Sequence, residues 1–348
     1  MIKDVLGYLD ASAILHAPAY AVAFGMLICA CAMRVVYAVL FERSRYSLRQ
    51  LADAFFPFAG WRSWSSLTDV VIYALNRFFF RLFLLAGDGL ILFLAGALLF
   101  AAGALGIHGA RLQLGAVELV LCGLVLALLY DLGDFIGHYL MHKTAFLWEV
   151  HKVHHSATFL SPVTAFRAHP FEPYIYHVTH SLTVAPAAAA MVLIFDVGMV
   201  DVLLLMWSAN LLVSFLVLQP MKHTHVPISF GPFDRVVVSP HMHQLHHSAR
   251  PEHWDRNIGN IFSLWDWIAG TAVREDTAVP VEYGLGQGKA ADAAYLTLYG
   301  AYLLPLVNMA RITKQHLVLY STHGSTSALL DGVGAVDGEG APRSALGG

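Results

Sequence analysis

Residues 114–142 read LGAVELVLCGLVLALLYDLGDFIGHYLMH, an apolar run that leads directly into two histidines four residues apart. A helix needs about 20 mostly apolar residues to cross a bilayer, and residues 114–137 satisfy that length. His138 and His142 would then share one face of the same helix, just beyond its apolar part. The stretch therefore predicts a transmembrane helix that carries metal-ligating side chains to the edge of the membrane.

The rest of the chain also has the composition of a membrane protein. Its 348 residues are 57% hydrophobic and 13% charged, whereas soluble domains average about 25% charged residues. The mean hydropathy is +0.59. The net charge of −3 argues against a nucleic-acid partner, because such a partner requires a basic surface. The three cysteines lie in apolar runs, which favours small buried residues over a disulfide framework.

Five segments are long and apolar enough to be interpreted as membrane spans. They are 14–40, 82–105, 114–137, 174–196 and 202–218, the last continuing from 199 as the return arm of a hairpin. Segment 174–196 is the softest because it contains two histidines and a proline, so a re-entrant helix remains an alternative there.

The distribution of basic residues predicts the orientation. Lysine and arginine are concentrated in 42–81, in 138–173 and after residue 219. Five spans place these segments on one side, which the positive-inside rule makes the cytoplasmic side. The same count places both histidine-rich segments there. We therefore expect an all-α integral membrane protein, a four- to five-span helical bundle with a cytosolic helical cap that carries a histidine-rich di-metal site.

The histidines are concentrated and regularly spaced. The chain has 19 of them, and 15 lie between residues 138 and 253. Two H-x-x-H-H triplets, at 151–155 and 243–247, each place three imidazoles on one helix face. Neutral imidazole suits zinc, copper, iron and nickel. With His138 and His142, the two triplets supply too many ligands for one ion and enough for two, and His223 and His169 are further candidates.

Acidic residues beside these motifs are candidates for orienting the imidazole rings. Asp134 precedes His138 by one helical turn, Asp131 lies one turn before Asp134, and Glu149 precedes the first triplet. Carboxylates next to metal-binding histidines often fix the ring tautomer. We expect these three acids to act in that way.

The motifs resemble the fatty acid hydroxylase / sterol desaturase superfamily of membrane di-iron enzymes. The matching stretches are HYLMH at 138–142, HKVHH at 151–155, HQLHH at 243–247, FRAHPFE at 166–172 and PEHWDRNIGNIFSLWDWIAGT at 251–271. The resemblance covers about residues 125–272. It implies a four-helix membrane base under a cytosolic helical cap, with two iron ions between them.

The resemblance also assigns ligand positions. They fall on His138, His142, His151, His154, His155, His223, His243, His246 and His247, and His169 aligns with the family's His-Pro histidine. Some members carry a further H-x-x-x-H pair after the last span, where this chain has Gln219 at the first position and His223 at the second. Water, Gln219 or His225 can complete the ligand shell at that point.

The activity that the resemblance implies is O2-dependent oxidation of an unactivated C–H bond in a membrane lipid such as a sterol, acyl lipid or carotenoid. Both hydroxylation and desaturation use these ligands, with two Fe2+ ions and O2. The sequence has no dinucleotide, haem or iron–sulfur motif, so an external carrier such as cytochrome b5, ferredoxin or a flavoprotein reductase would supply electrons. Lys143, Lys152, Arg235 and Arg250 either dock an acidic carrier or only set the topology.

The expected organisation has four parts. Residues 1–110 form the N-terminal spans and a basic cytosolic loop, 111–275 a fatty acid hydroxylase-like catalytic domain, 276–324 a C-terminal cytosolic segment, and 325–348 a disordered tail. Alanine-rich spans favour a bacterial inner membrane, with the endoplasmic reticulum as the eukaryotic counterpart. The alternative function is a histidine-rich metal-binding or metal-transport protein. Transporters place their ligands near the membrane midplane, whereas these motifs follow the ends of spans.

Overall fold

The computed structural model describes residues 57–275, 277 and 281–323, together with the isolated positions 28 and 32; side chains at 77–86, 220 and 316–323 are left out of the description. The predicted first span at 14–40, most of the basic loop that follows it and the predicted tail at 325–348 lie outside the described residues. Over the described part, the chain is helical and has isolated β-bridges but no strand. The all-α prediction is confirmed.

The described helices are, in chain order, α1 Phe58–Trp61, α2 Trp64–Ala104, α3 Ala116–Lys143, α4 Ala145–His155, α5 Glu172–Ile194, α6 Met199–Leu216, α7 Pro240–His246, α8 Leu264–Ala269, α9 Lys289–Ala294 and α10 Leu304–His323. Short 3₁₀ turns at Pro162–Phe166, Gln219–Met221, Gly231–Arg235 and Pro251–His253 link them, and a π-helical turn at Tyr299–Leu303 leads into α10.

Four of the described helices are long and apolar enough to cross a membrane. The spans are Gly87–Ala104 within α2, and helices α3, α5 and α6 over their whole lengths. They match the predicted spans at 82–105, 114–137, 174–196 and 202–218 to within a few residues, except that α3 continues to Lys143. Helix α5 is continuous for 23 residues around Pro186 and is long enough to cross a membrane, which favours a full span over the re-entrant alternative.

The spans pack around α5. Their shared core contains Ala185, Ala188 and Ala189 of α5 together with Leu126 of α3 and Met206 of α6, all buried. Small residues let membrane helices approach closely. Gly133 of α3 marks a close approach to α5, where an added Cβ would lie 2.8 Å from the His180 ring. The ends of α3 and α5 that carry histidines are therefore fixed against each other.

Asp131 attaches the cap, which consists of the described segments 144–171 and 217–275 outside the spans, to the membrane helices. It is buried in α3 and accepts hydrogen bonds from the backbone N–H groups of Ile261 at 2.7 Å and Phe262 at 3.0 Å. It also accepts one from the Trp265 indole N–H at 2.9 Å. A buried carboxylate requires such donors, so the segment 261–265 is held at a defined level of α3.

Candidate metal centre

The nine histidines at ligand positions come from four places on one side of the helical bundle. His138 and His142 lie in the last turns of α3, and the first triplet forms the end of α4. His223 follows the turn after α6, and the second triplet occupies the end of α7. Both triplets thus meet on the same side of the four spans, as the count of spans predicted. All nine side chains are buried except His223, which is half-buried.

The histidines form two adjacent groups. Within each group, one ring nitrogen from every member lies within 4.8 Å of the others. The five-histidine group is His138, His142, His151, His155 and His246, and the four-histidine group is His154, His223, His243 and His247.

Each H-x-x-H-H triplet is divided between the two groups. His151 and His155 join the five-histidine group, whereas His154 between them joins the other. The second triplet is divided in the opposite sense, because its outer pair joins the four-histidine group and His246 joins the five-histidine group. Residues four apart on a helix point in nearly the same direction, and the residue between them is rotated to one side. Each triplet can therefore serve two neighbouring ions.

Backbone carbonyls fix the tautomer of three of these histidines. A carbonyl only accepts, so the ring Nδ1 facing it must carry the hydrogen, and Nε2 is left with a lone pair. The three contacts join His138 to the Ile258 carbonyl at 2.6 Å, His246 to the Arg256 carbonyl at 2.7 Å and His154 to the Arg167 carbonyl at 3.2 Å. All three rings thus present Nε2 to the interior of their group.

Two carboxylates act in the same way on two further rings. Glu172 Oε1 lies 3.1 Å from His151 Nδ1 and is buried. Asp255 Oδ1 lies 3.2 Å from His142 Nδ1, and its other oxygen accepts from Lys143 Nζ at 3.0 Å. A carboxylate behind a metal-binding histidine orients the ring and raises its basicity. The first of these acids belongs to FRAHPFE and the second to PEHWDRN, so the flanking motifs did carry a signal for them.

The carboxylates that we expected in this role have other partners. Asp131 bonds the cap segment, Asp134 bonds His180 at 2.8 Å and Asn260 at 2.7 Å, and Glu149 bonds Lys152 at 2.5 Å and Asn308 at 2.9 Å. The prediction that these three acids orient the rings of the metal-binding histidines is wrong. Proximity along a helix placed Asp134 one turn from His138, but the donors that it meets come from α5 and from the cap.

The chemistry of the donor atoms fits a cation between the rings. Nε2 of His138 lies 2.9 Å from Nε2 of His151, and Nε2 of His154 lies 3.1 Å from Nε2 of His223. At least three of these four nitrogens, those of His138, His151 and His154, lack a hydrogen, because Nδ1 of each of those rings donates to an acceptor. The first contact therefore sets two lone pairs against each other, an arrangement that a metal ion stabilises. The residues thus fit the two metal ions that the family implies.

Burial keeps the histidines neutral. It lowers the pKa of His151 to about 3 and that of His154 to about 4, far below the usual value near 6.5. Burial and neighbouring histidines also lower the pKa values of His155, His223, His243, His246 and His247. Neutral imidazole is the form that binds metal.

Other candidate residues lie apart from the two groups. His169 is buried, but its Nε2 contacts the Tyr302 carbonyl at 3.1 Å and its Nδ1 accepts from the Phe171 N–H at 3.1 Å. Gln219 donates to Asn260 at 3.3 Å, and the His225 ring stacks on Phe159 at 6.1 Å. The ten candidates therefore divide into nine that come together and His169, which does not.

A cavity of about 620 Å³ opens onto both groups. His138 and His151 of the five-histidine group line it, as do His154, His223 and His243 of the other. Its remaining wall is mostly apolar and includes Phe166 of the cap region and, from the membrane helices, Tyr130, Tyr176, Trp207, Leu211 and Phe215. Pockets of about 300–1,000 Å³ are typical of small-molecule sites, so the cavity connects the candidate metal centre to the space between the spans.

One wall of this cavity carries a chain of polar side chains. Lys222 is buried, and its Nζ donates to Asn260 Oδ1 at 2.8 Å. The Asn260 amide donates to Asp134 at 2.7 Å, and Asp134 accepts from His180 at 2.8 Å. Composition and spacing gave no signal for Lys222 or Asn260. An isolated lysine after a span indicates only the orientation of the span, and a single asparagine in a loop belongs to no motif.

Three of the four basic residues suggested for docking a redox carrier are paired with acids. Lys143 contacts Asp255, Lys152 contacts Glu149, and Arg250 contacts Glu275, all within 3.2 Å. Arg235 is exposed. Paired charges attract an acidic partner less strongly, so the pairing weakens the docking interpretation for those three residues.

The fold and the site together define a helical protein with four candidate membrane spans and a buried histidine cluster. Residues 123–271 match the family model for fatty acid hydroxylase. Alkylglycerol monooxygenases of Danio rerio and Homo sapiens are each 28% identical over 158 residues, which is 44% of this chain and 31% of theirs. An ornithine lipid hydroxylase of Rhizobium tropici is 26% identical over 152 residues, 44% of this chain and 41% of its own length. No solved structure shows a significant match.

Residues 123–271 therefore carry a fatty acid hydroxylase domain, which agrees with the resemblance of the histidine motifs to the fatty acid hydroxylase / sterol desaturase superfamily. The matched segment spans less than half of the length of these curated relatives. It contains all nine clustered histidines, and it ends at Thr271, whose hydroxyl donates to the buried Asp266 carboxylate at 2.6 Å.

Proposed function

We propose that this protein is a membrane-bound non-haem di-iron oxidoreductase that hydroxylates an unactivated C–H bond of a membrane lipid. The single observation that carries the proposal is the cavity that opens at once onto both histidine groups and onto the membrane helices. Two iron ions held by the nine clustered histidines would supply O2-dependent oxidation of C–H bonds, with electrons from an external carrier. The names of the relatives, an alkylglycerol monooxygenase and an ornithine lipid hydroxylase, support a lipid as the substrate.

The residues of the chain have separate tasks in this proposal. Glu172, Asp255 and the three backbone carbonyls hold the imidazoles in the tautomer that presents Nε2. The apolar residues Trp207, Leu211 and Phe215 receive the hydrocarbon part of the lipid between α6 and the cap. Lys222 and Asn260 offer N–H donors to an oxygen of its polar part beside His223. The burial of the whole site excludes water, which protects a reactive oxidant from side reactions.

The proposal extends to the organisation of the chain. We infer that residues 111–275 form the catalytic domain, with 1–110 supplying further membrane spans and 276–324 a segment that closes the cap. Helix α10 packs on α4, which supports the last part. We propose that the site faces the cytoplasm, because the basic segments lie on its side of the membrane, and that the membrane is a bacterial inner membrane.

Oxygen labelling tests the proposed reaction. Membranes containing the protein, given a reductant and 18O2, should yield lipids that gain one 18O atom, and the His154→Ala and His246→Ala variants should yield none. Loss of two hydrogens without 18O would identify a desaturase instead. Unchanged sterol, acyl-lipid and carotenoid pools, in the presence of a competent carrier, would contradict the proposal.

Metal content tests the site separately from the reaction. Anaerobically purified protein should contain about two irons per chain, one for each histidine group. A metal-transport protein would instead move its ion across vesicles, without O2 and without lipid oxidation. Iron-free protein that also fails to take up added Fe2+ would contradict the di-iron site.

A further inference from the structure

An apolar patch lies on the outside of the cap, away from the cavity. It consists of Phe233, Val236, Leu264, Trp267 and Ile268, and Phe233 and Ile268 are 70% and 72% exposed. Two chain segments build it. The Ser263 N–H donates to the Val236 carbonyl at 3.1 Å, and Val237 forms a β-bridge with Phe262. The five side chains therefore belong to one continuous surface, and apolar patches of this kind mark interaction sites.

The depth of this patch follows from its attachment to α3. Its segment begins at Ile261 and Phe262, which Asp131 binds directly. Asp131 precedes the end of α3 at Lys143 by 12 residues, or about 18 Å at 1.5 Å per residue. The exposed side chains Ile136 and Leu140, farther toward that end, are still apolar. Their exposure to lipid would place the level of Asp131, and the patch beside it, within the bilayer.

Arginines surround the patch. Arg235 is exposed next to Val236. Arg274 donates to the Gly231 carbonyl at 2.6 Å and pairs with Asp234 at 3.8 Å, with about a third of its side chain exposed, and Arg256 donates to the Gly270 carbonyl at 2.8 Å. Both carbonyls lie two residues from a member of the patch. Tryptophan and arginine beside apolar side chains are characteristic of the membrane interface, where the cations meet lipid phosphates.

We propose that this patch inserts into the bilayer on the side of the histidine groups, with the three arginines at the level of the lipid headgroups. The occupant of the surface is therefore lipid, continuous with the lipid that covers the exposed faces of the four spans. Ile261, at the start of the patch segment, and the preceding residue Asn260 both line the cavity. Contact between the patch and the bilayer would thus hold this wall of the cavity at the level of the membrane lipids.

Site-directed spin labelling measures this depth without any assay of activity. The full chain, with Cys29, Cys31 and Cys122 replaced by alanine, would carry a nitroxide at Ile268→Cys or Phe233→Cys in phosphatidylcholine–phosphatidylglycerol vesicles. Phe100→Cys, on an 81% exposed residue of the α2 span, is the lipid reference. Glu252→Cys, exposed and close to Asp255 at the end of α3, is the water reference.

Collision rates with O2 and with a water-soluble nickel chelate give the result. The labels at Ile268 and Phe233 should be accessible to O2 and protected from nickel, as at Phe100, and a label at Arg235→Cys should fall between the two references. Nickel accessibility equal to that of Glu252 would overturn the proposal, because the patch would face water. Protection from both agents would also overturn it, because protein and not lipid would cover the patch.

Discussion

At the scale of single residues, the arrangement of hydrogens on the imidazoles decides what the site can bind. Acceptors behind the rings of His138, His151, His154 and His246 hold the hydrogen on Nδ1. The opposite nitrogen of each ring is then available to a metal. The function of a ligand thus depends on an oxygen about 3 Å behind it, and substitutions can separate the ligand from its orienting group.

Replacing one histidine from each group should remove one metal ion at a time. His154→Ala should lower bound iron from about two to about one per chain, and so should His246→Ala, because each residue belongs to a different group. Elemental analysis of anaerobically purified protein measures this. His169→Ala is the control and should keep both ions, since its nitrogens contact Tyr302 and Phe171. Loss of iron from the control would make His169 a ligand.

Removing the carboxylate behind His151 should weaken metal binding without removing a ligand. Glu172→Leu should lower metal affinity or activity by about 10–100-fold, the usual effect of losing such an orienting group. Glu172→Gln should lose less, because its amide oxygen still accepts from His151 Nδ1. Competition with a chelator gives the affinity. Equal affinities for Glu172→Leu and the unaltered protein would contradict an orienting role.

At the scale of elements, Asp131 links a membrane helix to the cap. Asp131→Asn turns one oxygen into a donor that faces the Phe262 N–H and the Trp265 indole. Two hydrogen bonds would be lost, and the new amide N–H would face the two N–H donors. Together these effects should reduce the free energy of unfolding by roughly 3 kcal/mol. Denaturant unfolding in detergent, followed by tryptophan fluorescence, measures the change.

The matched control for this substitution is Asp196→Asn. Asp196 is exposed and lies 3.9 Å from Arg111, and surface ion pairs contribute about 0–1 kcal/mol. An equal effect of the two substitutions would mean that Asp131 does not hold the cap.

At the scale of the whole molecule, the buried neutral histidines make stability depend on pH. Burial lowers the pKa of His151 to about 3 and of His154 to about 4 in the folded state, whereas both should titrate near 6.5 when unfolded. Below pH 6.5 the unfolded chain therefore binds more protons. Metal-free protein should lose stability from about pH 6.5 down to about pH 4, by up to about 1.4 kcal/mol per pH unit for each histidine.

Unfolding of the metal-free protein in detergent between pH 7.5 and 4.5 tests this dependence. A His151→Gln variant should have a shallower slope, because one of the titrating groups is gone. Constant stability over this range would show that the histidines do not stay neutral in the fold.

The sequence by itself located the four described helices that are long and apolar enough to cross the membrane, and the nine histidines that the fold brings together. Apolar runs of about 20 residues and imidazoles at helical spacing are local properties, so α3, α5 and α6 and both triplets could be located along the chain. The side of the membrane that both triplets share also followed from the sequence, through the number of spans between them.

The tertiary structure alone decided how the histidines are grouped and what stands behind them. The division of each triplet depends on how α4 faces α7, and Glu172, Asp255 and the carbonyl of Ile258 reach the rings from 21, 113 and 120 residues away. Asp131 and Asp134 were misassigned because helical spacing gives the neighbours on one helix, whereas a buried carboxylate pairs with whichever donors the packing brings to it.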